Sequence, residues 1–110
     1  MGKDEAAAAY ADGLGRLTTG DLEGAASAFQ ASVDMDATFA LGYLGLSQVQ
    51  DRQGKVDAAI EAINQAINLT PDDPLAYASL SRLLQQKDLI EEAEEAMAES
   101  NRLSASQQDT

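Results

Sequence analysis

Apolar residues recur along this chain at three- and four-residue steps, in stretches of three or four helical turns separated by short polar breaks. Val56, Ala59, Ile60, Ile63, Ala66 and Ile67 make one such stripe, the pattern of a helix with one buried face. Ile90, Ala93, Ala96, Met97 and Ser100 make another, with Glu91, Glu92, Glu94, Glu95 and Glu99 on the opposite face. Spacing and stop signals together predict six helices, at about 5–18, 22–35, 39–53, 56–69, 75–87 and 89–103. Asp4 is placed as N-cap of the first helix, its carboxylate accepting from an orphan N–H. Gly20 and Gly54 stand where helices end with a residue of positive φ, and Lys87-Asp88 makes the corresponding turn after the fifth helix. Thr70-Pro71-Asp72-Asp73-Pro74 stops the fourth helix, because the residue before a proline is biased out of the helical region. Pro74 suits the first turn of the fifth, where no N–H is needed. Residues 104–110 read as a short polar, frayed tail.

The six stripes are not independent. Gly20, Gly54 and Asp88 are each 34 residues apart, as are Ala25, Ala59 and Ala93, and Phe29, Ile63 and Met97. Gly13, Ser47 and Ser81 keep the same step, so do Glu23, Asp57 and Glu91, and Tyr43 precedes Tyr77 by one period. A fixed period of this size marks stacked helical units that bury their apolar faces on one another. The pattern resembles the tetratricopeptide repeat, a helix–turn–helix unit of 34 residues. In the second unit, 40–73, Tyr43, Leu46, Ser47, Gly54, Ala59, Ala66 and Pro71 match the family's positions. The third, 74–107, matches with Tyr77, Leu80, Ser81, Ala93, Ser100 and Leu103, but has Asp88 at the turn and Ala105 in place of proline. The first, 6–39, fits through Gly13, Gly20, Ala25 and Phe29, while Ala9, Asp12 and Ala37 depart from the pattern. The resemblance implies an all-α, right-handed solenoid of three helix–turn–helix units, spanning 1–110 as a single domain.

Small residues in the ladders are expected where helix backbones approach closely. Gly13 has this explanation; Gly15, Gly42 and Gly45 do not, and they read either as tolerated weak points or as room for a ligand against the helix surface.

Composition narrows the chemistry. The chain of 110 residues has no cysteine and no histidine, so it lacks a thiolate metal site, a disulfide framework and the commonest general base. No P-loop or dinucleotide fingerprint is present, and paired carboxylates such as Asp72-Asp73 lie in a loop or on exposed faces. The expectation is a non-enzyme without metal or cofactor. Nineteen acids against seven basic residues give a net charge of −12, which argues against nucleic acid and anionic membrane as partners. It favours basic or amphipathic protein partners by long-range steering. The N-terminus has no secretory signal pattern and no apolar run is long enough to span a bilayer, so a cytoplasmic compartment is expected.

The resemblance also implies where a partner would bind. In the family, the first helix of each unit lines a concave groove. The matching positions here are Ala7, Tyr10, Leu14 and Leu17 in the first unit, Leu41, Leu44, Gln48, Asp51 and Arg52 in the second, and Leu75, Ala78, Arg82, Gln85 and Gln86 in the third. Tyr10, Leu14, Leu17, Leu41 and Leu44 would form an apolar end; Gln48, Arg52, Arg82, Gln85 and Gln86 would form a polar one. Leu17 and Leu41 read equally well as internal packing. Some family members grip an acidic C-terminal tail with several Lys, Arg and Asn residues; this chain offers only Arg52 and Arg82 there. Two functions follow: a module or scaffold holding a peptide or helix of a partner protein in the groove, or a self-assembling structural repeat that associates through its uncapped ends or through the groove.

Overall fold

A computed structural model describes residues 2–108. Within them every regular element is helical: α1 (Gly2–Thr18), α2 (Leu22–Met35), α3 (Ala40–Arg52), α4 (Val56–Leu69), α5 (Pro74–Gln86) and α6 (Ile90–Gln108). α1 pairs with α2, α3 with α4 and α5 with α6 as antiparallel hairpins, while α2 against α3 and α4 against α5 join successive hairpins.

The turns inside the three hairpins are chemically the same, which explains the glycine ladder. Gly20 and Gly54 have φ of 85° and 79°, and Asp88, at the same register, has 61°. After α1, Gly20 N–H donates to the Leu17 carbonyl (3.2 Å) and Asp21 N–H to the Arg16 carbonyl (2.9 Å). Gly54 with Asp51, Lys55 with Gln50, Asp88 with Gln85 and Leu89 with Leu84 repeat both bonds. This paired closure satisfies orphan carbonyls at the helix end and needs a left-handed residue at its centre. Asp88 is the one non-glycine at that centre, so Asp88→Gly is expected to stabilise the protein by roughly 0.5–1 kcal/mol. A urea midpoint lower than wild type would contradict it.

Caps reinforce the helix starts. Asp21 accepts from Gly24 N–H at 3.0 Å and binds the Arg16 guanidinium, and both interactions hold its carboxyl below the usual carboxylate range. Asp73 accepts from Leu75 N–H at 3.0 Å ahead of Pro74. Asp4 is not a cap: α1 begins at Gly2 and places Asp4 within its first turn, where a carboxylate favours the positive end of the helix dipole. The expected tail is also corrected. α6 continues to Gln108, because Leu103 is buried, Ser100 Oγ donates to the Pro74 carbonyl (2.8 Å) and Gln107 Nε2 donates to the Asp72 carbonyl (2.7 Å). Residues 109–110 of that expected tail lie outside the described residues.

Ala25, Ala59 and Ala93 are all buried, as the ladder requires of close helix contacts. The core is built around Phe29, which is fully buried with Leu17, Ala25, Val33, Leu46 and Val49. Its ring lies between Gly13 of α1 and Gly45 of α3; a Cβ at Gly13 would sit 2.6 Å from ring atom Cε1, and one at Gly45 would overlap it. A Cβ at Gly42 would run into Ser32 and Val33. The space at Gly42 and Gly45 is therefore filled by α2 and is not open to a ligand. Only Gly15, of the three unexplained glycines, faces open space. A second cluster, Ala59, Ile63, Ala76 and Leu83, holds the other two units together, with Leu44 and Leu80 packed on it.

Candidate functional site

α1 touches α3, and residues of α3 and α5 line one pocket, so the first helices of the three units share a side of the stack. The pocket between α3 and α5 measures about 330 Å³ and is formed by Gln48, Asp51, Arg52, Ser79 and Arg82. Four of the residues expected in the groove, Gln48, Asp51, Arg52 and Arg82, are thus brought together. Asp51 organises them. It accepts from Arg82 Nη2 at 3.1 Å and from Gln86 Nε2 at 2.9 Å, which ties the third unit to the second across the groove floor. Arg52 has no ion-pair or hydrogen-bond partner among the described residues. Arg16 is occupied by Asp12 and Asp21, Arg82 by Asp51, and Arg102 by Glu99. In a chain of net charge −12, the Arg52 guanidinium is a free, fork-shaped donor beside the polar side chains of Gln48 and Ser79. Such a group donates to a carboxylate or to a pair of carbonyls.

The apolar end is less continuous than the sequence suggests. Tyr10 is half-buried, its ring tilted against Phe29 and edge-on to Phe39, each at 5.7 Å between centroids. Leu17 is buried in the Phe29 cluster and belongs to the core, because α1 turns that face toward α2. Leu44 is half-buried against the Ile63 cluster. Leu14, Leu41 and Leu75 are exposed, Leu75 at 74%. Leu41 lines a separate hollow of about 370 Å³ with Lys3, Asp36, Thr38, Phe39 and Ala40. Gln85 is exposed but does not line the polar pocket.

Ser79 was not among the expected groove positions; Asp51 was, but not as the residue that anchors Arg82 and Gln86. Ser79 lies one period after Gly45, a register that signals packing between units, yet it lines the pocket. Asp51 shares its register with Leu17 and Gln85, a position whose burial changes from unit to unit. Among the described residues there is no group of acids able to hold a metal ion, and no helix long and apolar enough to cross a membrane.

The tetratricopeptide repeat profile matches residues 16–84. Among solved structures, a crystal structure of MamA is similar with a TM-score of 0.93 at 25% identity, covering 96% of this chain and 62% of that one. The chain thus spans less than two thirds of that protein. The translocator chaperone SycD of Yersinia enterocolitica gives 0.89 at 24% identity, covering 93% of this chain and 77% of that one; another SycD structure holds a peptide of the translocator YopD. The first tetratricopeptide domain of Spaghetti (RPAP3), bound to an HSP90 peptide, gives 0.89 at 18% identity, covering 92% and 80%. No curated protein sequence matches.

Proposed function

Because the chain belongs to the tetratricopeptide repeat family, we propose that it is a protein-interaction module that holds a segment of a partner protein across the side formed by α1, α3 and α5. The observation that carries this reading is the unpartnered Arg52 in a pocket whose other arginine, Arg82, is already fixed by Asp51. Peptide binding by structurally similar domains supports it. The segment would carry apolar residues for Leu14 and Leu75, and one carboxylate or exposed carbonyl pair for Arg52. Basic residues elsewhere in it would be drawn by the acidic surface. The same reading gives the chain no catalytic step and places it in a cytoplasm-like compartment. Self-assembly through the ends or the groove is the second reading, favoured by the exposed apolar residues Leu89, Ile90 and Met97 beside α6.

Leu44→Glu is a poor test of the groove, because Leu44 also packs on the core. Arg52→Glu is better: the side chain is exposed and has no partner to lose, so its melting behaviour should stay within about 0.5 kcal/mol of wild type. Capture from a cell lysate should lose the specific partner with Arg52→Glu and keep it with a substitution on the opposite side, such as Glu61→Gln. If both variants retain the same proteins, the groove is not the binding surface. Light scattering at high protein concentration addresses the second reading, and a monomer mass would remove it.

A further inference from the structure

Gln50 lies on the face of α3 turned away from Gln48 and Arg52, and it is a poor fit to its surroundings. Its Oε1 is buried, and neither end of its side chain has a hydrogen-bond partner among the described residues. Buried polar atoms are ordinarily paired, and one left without a partner costs stability. Packing does not call for an amide here. One period on, the residue is Leu84, which lines the equivalent crevice of the third unit with Tyr77 and Leu80.

The amide borders a hollow of about 520 Å³ lined from α2, α3 and α4. Val33, Tyr43, Leu46 and Ala62 give it apolar walls, and two carboxylates join them, Asp34 from α2 and Glu61 from α4. Asp34 accepts from the neutral amide of Gln30 at 2.9 Å, and Glu61 has no partner among the described residues. No basic residue lines this hollow. Lys55 lines the adjoining one of about 390 Å³, which shares Leu46 and Gln50 with it. The third unit treats its acids differently: Arg102 donates to Glu99 at the equivalent crevice, whereas α4 has Asn68 at the register of Arg102. α2, α3 and α4 are all internal to the chain, so their own packing shapes the hollow.

We propose that this hollow is a second binding site, on the back of the stack, for an arginine side chain of a partner protein other than the one held in the groove. The guanidinium donates to Gln50 Oε1 and pairs with Asp34 and Glu61, and its alkyl stem rests on Tyr43 and Leu46. A guanidinium has several N–H donors in one plane and is weakly hydrated, so it can serve one amide oxygen and two carboxylates together. The volume is that of pockets which enclose a ligand group between apolar walls and a few polar contacts.

The probe is the peptide acetyl-Gly-Arg-Gly-amide, titrated into the isotope-labelled full chain and followed by NMR through the backbone amides of Leu46, Gln50 and Ala62. A control peptide carries citrulline, which keeps the shape of arginine and loses its charge. The arginine peptide is expected to bind more tightly, by about twofold to thirtyfold for two exposed ion pairs. Gln50→Leu should weaken it about tenfold or more, the loss of a hydrogen bond to a charged group. The same variant should melt no lower than wild type, because Leu84 shows that the register takes leucine. Asp34→Asn with Glu61→Gln should remove the preference over citrulline. Arg52→Gln should leave both affinities within about twofold, as for an independent site, which separates this hollow from the groove. No shift at these amides, equal binding of the two peptides, or binding unchanged by Gln50→Leu would overturn the proposal. A lower melting point in Gln50→Leu would overturn it as well, by showing that the amide is satisfied within the fold. Propylguanidinium binding as tightly as the peptide would assign the hollow to a free small cation and reject the partner side chain.

Discussion

Phe29→Ala is expected to cost about 3–5 kcal/mol, the range for truncating a fully buried aromatic residue. The ring is 0% exposed and is the largest fully buried side chain. It is also enclosed by α1 and α3 as well as its own helix, through Gly13 on one side, Gly45 on the other and Tyr10 beside it. Neither glycine has atoms with which to fill the cavity, and collapse would need movement of a helix backbone. Domains of this size are stable by about 5–15 kcal/mol in total, so the variant sits near the unfolding threshold. Because a stack of units is held by neighbour contacts alone, the damage should concentrate in the first unit. Urea unfolding followed by circular dichroism should show a much earlier transition, and amide exchange should show α1 and α2 losing protection before α5 and α6. A midpoint shift equivalent to less than about 1 kcal/mol would mean that the ring is not the keystone of the first junction.

Gly15→Ala and Gly45→Ala are expected to change stability in opposite directions. Both glycines lie inside helices, where alanine is ordinarily better by about 0.8–1 kcal/mol. Gly15 faces open space, so it should deliver that gain in full. At Gly45 the new methyl would occupy the volume of the Phe29 ring. Overpacking of that kind costs about 1–3 kcal/mol, and the ring has little freedom to retreat because Gly13 of α1 bounds it from the other side. Paired thermal melts would show Gly15→Ala above wild type and Gly45→Ala below it. If both rise, the ring is free to move and the first junction is loose.

Much of this architecture is legible in the sequence because the period is. Six helices at nearly the observed positions follow from stripes that recur 34 residues apart, and the left-handed turn residues fall at Gly20, Gly54 and Asp88 as that register requires. What the period transfers is position along a unit; it does not transfer burial. Leu17, Asp51 and Gln85 share one register, yet the first is core, the second anchors a salt bridge across the pocket and the third is exposed. Gly13 and Gly45 belong to different ladders, and only the packing of three helices shows that both serve one ring. The last turn of α6 was illegible for a related reason. Its residues are polar, and it is tied down by the bond from Gln107 to the carbonyl of Asp72, 35 residues away.

The fit of Phe29 between two glycines also fixes the sequence in which the units must follow one another. A repeat protein can be imagined as identical tiles, free to be shuffled or multiplied. Here the joints are keyed. The first unit offers a large ring and requires Gly45 in its successor, whereas the second unit offers Ile63 to a successor with Ser79 at that register. Joining the first unit directly to the third would set the ring against a side chain. A gene rearrangement that deleted the middle unit would keep the period and lose the fit, so a shortened descendant would have to refit the joint before it could stack.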